Sequence, residues 1–277
     1  MSISVLNNVS SLVAENAVSN TQASLQKTLQ ELSTGLKINS GADDPAGLAI
    51  ANGLGANIAA LTQSSQNASN GVGLLQTADG ALSQVTTILN QAVTIATEAA
   101  NGGLTASQTT ALGTEFTSIL NEITNIGTQT TFNGTAVFSA TAASTFTGDG
   151  TSTGDANTTT TIGVLTPVSL GITAADATAD LSTPAGAKTA LEDITTAIGA
   201  AAALRGTIGA SINQLTSDAN VENTQVENLT SAQNNVQNAD IATVTSKMTQ
   251  YNVLEQTGFA ALQQSNAAEQ NVLKLVQ

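Results

Sequence analysis

The 277-residue chain carries 6 basic against 20 acidic residues, no Cys and no His, with aromatic side chains at 2% and charged ones at 9%. A net charge of −14 opposes binding to nucleic acid or to an anionic membrane surface, and the missing thiols and imidazoles remove Cys- and His-based catalysis, zinc sites and any disulfide framework. No enzyme, cofactor or metal is expected, and a core drawn from Ala, Leu, Ile and Val suits long helical interfaces better than a thick globular centre.

The opening residues, MSISVLNNVSSLVAEN, show no basic segment followed by a continuous apolar run, so no cleaved secretory signal is expected. Leu6, Val9, Val13, Leu25, Leu29 and Leu32 stand at helical spacings and predict an amphipathic helix over residues 1–34. The next helix has a marked start. Asp44 can serve as N-cap, Pro45 supplies the preset φ of the first helical position, and Asp43 adds favourable charge at the positive helix end. A third ligand for a metal is absent from the spacing, so the acidic pair reads as a helix start and linker.

From there Leu54, Ile58, Leu61, Ser65, Ala68, Val72, Leu75, Asp79, Leu82, Val85, Leu89, Ala92 and Ala96 alternate spacings of four and three. That is a coiled-coil seam. Closed by Gly102-Gly103, the helix would be roughly 80 to 90 Å long at ~1.5 Å per residue. A second helix over Ser107 to Ile126 puts Leu112, Phe116, Ile119, Ile123 and Ile126 on one face and can fold back along the first.

Thr135 to Pro184 is rich in Thr, Ser, Gly and Asp and breaks the helical pattern. Asn133-Gly134 and Gly148-Asp149-Gly150 are turn signals, and Thr158 to Leu165 has strand propensity, which predicts one or two short hairpins. Helical periodicity then resumes through Leu191, Ile194, Ile198, Ala201, Arg205, Ile208, Ile212, Leu215, Ala219, Glu222, Val226 and Leu229. Arg205, the sole arginine, is either an edge residue whose stem covers apolar surface or one half of a bidentate pair with a carboxylate. The two long arms bury their stripes most economically against each other as an antiparallel bundle. Ile241, Val244, Met248, Tyr251, Leu262, Val272 and Val276 mark a last amphipathic helix over residues 239–277. Isolated terminal helices are marginal in water, so both ends are expected to need copies of the same chain.

Six blocks, in order, carry a resemblance. LSTGLKINSGADDPAGLAIA (Leu32 to Ala51), NASNGVGLLQTADGAL (Asn67 to Leu82) and TFNGTAVF (Thr131 to Phe138) resemble the N-terminal region of bacterial flagellins, and LRGTIGASINQL (Leu204 to Leu215), ENLTSAQNNVQNADIA (Glu227 to Ala242) and QQSNAAEQNVLKLV (Gln263 to Val276) resemble the C-terminal region. The resemblance covers both arms, about three quarters of the chain. It implies a mainly α fold, a long antiparallel helical bundle with a small β-hairpin region and paired terminal helices. Residues 1–41 and 238–277 would form the inner filament core, 42–134 with 185–237 a rod domain, and 135–184 a short variable segment in place of large outer domains.

The implied function is a structural subunit of the extracellular flagellar filament; the alternative within the resemblance is a hook-filament junction protein. The implied partners are the chain itself, the flagellar export apparatus and an export chaperone, and the filament cap and hook-junction proteins, with no nucleic acid and no membrane insertion. Self-assembly would fall to Leu6, Val9, Leu25, Leu29, Leu32, Ile241, Val244, Met248, Tyr251, Leu262, Val272 and Val276. By analogy with glycosylated members, Ser139, Thr141, Ser144, Thr145, Thr147, Thr151, Ser152 and Thr153 are O-glycosylation candidates. Departures are local. Asn235 stands where the family has a basic residue, Ile212 and Gln214 where it has glutamine and arginine. Asn90, Gln91, Ala92, Val93, Thr94 and Ile95 replace the arginine-bearing stretch read by an innate immune receptor, which implies weak activation of that receptor.

Overall fold

The computed structural model describes residues 8–148, 157–172 and 181–276, the side chains of 272–276 excepted. The expected positions Leu6, Thr151, Ser152 and Thr153, and the side chains of Val272 and Val276, lie outside them. In chain order the described elements are α1 (Val9–Thr34), α2 (Pro45–Ala99), α3 (Ala106–Gln129), β1 (Thr131–Phe132), β2 (Thr135–Ala136), β3 (Ala143–Phe146), β4 (Asn157–Thr160), a short 3-10 helix at Val168–Leu170, α4 (Pro184–Gln237) and α5 (Ile241–Val276). The strands form two separate antiparallel pairs, β1 with β2 and β3 with β4. The fold is mainly α, as the heptad spacings require.

Two compact units divide the chain: residues 1–56 with 228–277, and residues 57–227. In the first, α1 begins on Asn8, whose Oδ1 accepts the Ser11 amide at 2.9 Å, and ends on Gly35, which takes a left-handed φ of 73° and donates to the Glu31 carbonyl. A residue with a Cβ is strained there, so glycine fits the stop. α5 runs antiparallel to α1. As the α1 partner advances from Ser11 to Val18 to Gln22, the α5 partner retreats from Asn266 to Gly258 to Glu255. Gly258 lets the helices approach closely at that crossing, where an added Cβ would stand 2.6 Å from Val18 Cγ2.

The connectors of this unit are tied together by backbone. Lys37 donates to the Gln237 carbonyl at 2.7 Å and Ala239 to the Gly35 carbonyl at 2.9 Å, closing an antiparallel bridge between Leu36 and Asn238. Asp240 then starts α5 by accepting from the amides of Ala242 and Thr243 and from the Thr243 hydroxyl.

In the second unit α2 and α4 are antiparallel over a continuous apolar core. Ser64, Gly71 and Asp79 of α2 meet Glu222, Leu215 and Arg205 of α4 in that order. α3 opens with a full capping box, Thr105 with Gln108, and lays Phe116, Leu120 and Ile123 into the same core as Leu82, Leu89, Ile194 and Ile208. The β1–β2 hairpin turns through Asn133 (φ 50°) and Gly134 (φ 76°), a two-residue loop whose positive φ values match the twist of its strands.

Two expectations need correction. The Thr158 to Leu165 strand ends at Thr160, because Gly163 turns to φ 75°; the chain beyond it still buries Ile162 and Leu165. On the α2 seam, Ser64 rather than Ser65 is the buried hydroxyl, and Ser65 is half-buried, donating to Asn223 Oδ1 at 3.2 Å. A helix of 3.6 residues per turn drifts off a strict heptad, so a small phase error accumulates along fifty residues, roughly seven heptads.

Candidate assembly surface and buried polar contacts

The polar contacts along α1 and α5 are built mostly from neutral groups. Asn8 Nδ2 donates to the Ser265 carbonyl and to Glu269 Oε2, Ser265 Oγ donates to Asn8 Oδ1, Ser11 Oγ donates to Asn266 Oδ1, and Gln22 Nε2 donates to Glu255 Oε1. Val18, Thr28 and Val244 are buried in this unit. Leu25, Leu32, Met248, Tyr251 and Leu262 are half-buried.

Three of the candidates instead face outward: Val9 at 65% exposure, Leu29 at 46% and Ile241 at 47%. Four residues that the single-stripe reading passed over join them, namely Leu12 on α1 and Val253, Leu254 and Phe259 on α5, and Val13 is exposed beside Leu12. The sequence did hold a signal for them. Adjacent apolar pairs such as Leu12-Val13 and Val253-Leu254 point about 100° apart on a helix, so one seam cannot cover both members.

The α1–α2 connector is organised by Asp43. Its Oδ2 accepts from the amides of Asn39 and Ser40 and from the Ser40 hydroxyl, while Oδ1 sits 2.8 Å from Lys27 Nζ. The lysine, followed by these donors, holds the Asp43 carboxyl well below its ordinary range, at about 2. Asp44 Oδ1 accepts from the amides of Ala46 and Gly47, and Pro45 is the first residue of α2. Both carboxylates are thus committed to backbone and to one lysine, and among the described residues no cluster of acidic groups is arranged for a metal ion.

In the second unit two polar pairs interrupt the apolar core. Arg205 pairs with Asp79 in a bidentate fork, Nε to Oδ1 at 2.7 Å and Nη2 to Oδ2 at 3.2 Å, which settles the two readings of that arginine. Each partner is 38% exposed at its side chain, so the pair fixes register more than it adds stability. The other pair is buried. Ser64 Oγ accepts the Gly148 amide at 2.6 Å and donates to Glu222 Oε1, while Glu222 Oε2 has no hydrogen-bond partner. Burial raises the Glu222 carboxyl above its usual value, Ser64 counteracts this in part, and the nearby Asp218 charge adds to the rise. Thr158 of β4 donates to Asp218 at 3.2 Å, and Thr145 of β3 packs at Gly71. The β3–β4 hairpin is therefore seated on both α2 and α4.

The described hydroxyl candidates for glycosylation differ in access. Thr141 and Ser144 are exposed, Ser139 and Thr145 are half-buried, and Thr147 is buried. In the stretch from Asn90 to Ile95, Asn90, Gln91 and Thr94 are exposed, Val93 is half-buried, and Ala92 and Ile95 face the core.

A family model for the bacterial flagellin N-terminal helical region matches residues 5–143, and one for the C-terminal helical region matches residues 191–276. The chain belongs to the bacterial flagellin family. The flagellar filament 33 kDa core protein of Treponema phagedenis is 30% identical over 280 residues, an alignment spanning 97% of this chain and 98% of that protein. Flagellin FlaB2 of Treponema pallidum (strain Nichols) is 29% identical over the same spans. The flagellin of Serratia marcescens is 40% identical over 130 residues, 47% of this chain and 37% of that one. This flagellin is thus of the small type, with only residues 144–190 between its two family regions. No helix among its described residues is long and apolar enough to cross a membrane.

Proposed function

We propose that this flagellin is a structural subunit that polymerises with copies of itself into the flagellar filament of swimming motility, outside the cell. The observation that carries the proposal is the set of apolar side chains left uncovered on both terminal helices after they pair: Val9, Leu12, Val13 and Leu29 on α1, and Ile241, Val253, Leu254 and Phe259 on α5, all exposed in the single chain. Burying such residues against neighbouring copies yields about 25 cal/mol per Å² of apolar surface, and repetition along a filament lets every copy cover the next. The inner core role goes to residues 1–41 and 238–277, the rod role to 42–134 and 185–237, and the variable outer position to 135–184, with Thr141 and Ser144 as the exposed glycan acceptors among the described candidates. Export without a cleaved signal peptide, by the flagellar export apparatus with a chaperone, and contacts with cap and hook-junction proteins complete the proposal. A junction role is not favoured, since the matched relatives are named as flagellins and a filament core protein.

Negative-stain imaging tests the reading. The purified chain is expected to form tubes on seeding. Truncation of residues 1–30 or 240–277, and the paired change Val13→Asp with Leu254→Asp, should abolish them, while circular dichroism of the paired variant keeps its helix content. Tubes formed by the paired variant would refute the role of the outward face. Sheared flagella from the producing cell separate the two structural roles: a filament subunit is their bulk protein and a junction protein is a trace component.

A further inference from the structure

Four Asn-Gly pairs occur in the chain, at residues 52–53, 70–71, 101–102 and 133–134. All four asparagines are exposed, so access to solvent does not distinguish them; their backbones do. Asn52-Gly53 and Asn70-Gly71 lie inside α2, where each glycine amide donates to the carbonyl four residues back and the asparagine ψ is fixed. Asn133-Gly134 forms the tight turn of the β1–β2 hairpin, with both residues at positive φ and a strand pair on either side.

Asn101-Gly102 has neither restraint. It lies past the end of α2 at Ala99 and before α3 at Ala106. Asn101 keeps one backbone bond, its amide to the Glu98 carbonyl at 3.0 Å. A Cβ added at Gly102 would meet nothing within 4 Å, and Asn101 Oδ1 lies 3.9 Å from where a Cβ of Gly103 would stand. The Asn101 side-chain oxygen thus lies on the side of the following Gly-Gly stretch, with open space at Gly102.

We propose that Asn101 is the site at which this protein spontaneously deamidates, selected by the irregular α2–α3 connector rather than by the Asn-Gly sequence. Solvent base removes the Gly102 amide proton, and the nitrogen attacks Asn101 Cγ. A C–N bond forms in a five-membered succinimide as the Cγ–NH2 bond breaks and ammonia leaves with a proton from water. Water then opens the ring. Cleavage of the Cγ–N bond gives aspartate, and cleavage of the other imide C–N bond gives isoaspartate, whose main chain runs through the side-chain carbon. No oxidant or catalyst is needed. Either product places a new carboxylate just beyond the C-terminus of α2, the negative end of its dipole, and isoaspartate also lengthens the connector by one methylene. The inference rests on the connector geometry alone and is independent of the assembly reading.

The test is peptide mass mapping, with an isoaspartyl methyltransferase as reagent, after incubating the folded chain in mildly alkaline buffer. Conversion at Asn101 is expected to be about tenfold or more faster than at Asn52, Asn70 and Asn133, a difference in barrier of about 1.4 kcal/mol or more. In denaturant the four rates should converge. Gly102→Ala, which has open space for its methyl group, should slow conversion at 101 and leave 133 unchanged. Comparable rates at all four sites in the folded chain, a faster site elsewhere, or a ranking that persists in denaturant would each overturn the proposal.

Discussion

Glu222 and Asp43 give this flagellin two carboxylates whose protonation acts on stability in opposite directions. Burial raises the Glu222 carboxyl above its ordinary 4.5, so the folded chain holds that proton more tightly than the unfolded one. The cost of ionising Glu222 is absent below 4.5, grows as pH rises towards the folded value, and is fully present above it. Glu222→Gln is therefore expected to raise stability at neutral pH by about 1 kcal/mol and to flatten the rise in stability on mild acidification. Denaturant titrations of both chains across that range measure this, and a less stable variant at neutral pH would refute it. Asp43 has the reverse sign. Its carboxyl is lowered from 3.8 to about 2, so its stabilising contribution is complete above 3.8 and is lost as pH falls through about 2. Asp43→Asn should remove that acid limb and leave the Glu222 limb intact, read by the same titrations. Neither behaviour was legible from residue type, because Asp43 and Glu222 are told apart only by Lys27 and Ser40 around one and the β3–β4 hairpin over the other.

At the scale of elements, what a glycine touches decides whether it can be replaced. Gly127 of α3 is buried against the Leu165 carbonyl, backbone that cannot rotate away, whereas Gly71 of α2 meets the side chains of Thr145 and Leu215. Gly127→Ala should destabilise the chain by about 1–3 kcal/mol. Gly71→Ala should cost less, since its neighbours can change rotamer; equal losses in chemical denaturation would contradict this account. The long helices were readable because their three-four spacings extend over many turns and Asp44 marks the start of α2; the caps Asn8, Thr105 and Asp240 emerged only with the structure. The stretch after Thr160 was not readable. Its β-branched run ends in a positive-φ glycine, and Ile162 and Leu165 are buried in the core of the second unit, Leu165 beside Gly127 of α3, a tertiary effect that local propensity does not contain. The exposed apolar residues of α1 and α5 were half legible: periodicity found Val9, Leu29 and Ile241 but assigned them to one stripe with residues that the α1–α5 pairing covers, such as Leu25 and Val244.

For the whole molecule, the charge of −14 per copy opposes polymerisation by like-charge repulsion. Salt should lower the concentration needed for tubes to form, with the main effect complete once the Debye length falls to about 8–10 Å; sedimentation across a salt series reads this, and a concentration threshold that rises with salt would contradict it. The neutral amide and hydroxyl contacts of α1 with α5 should survive the same series unchanged. The Leu36–Asn238 bridge and the α1–α5 seam both join stretches that lie on opposite sides of the α2–α3 connector in sequence. A single proteolytic nick in the α2–α3 connector would therefore leave two fragments clasped at their far ends, one species on a native gel and two after boiling in detergent.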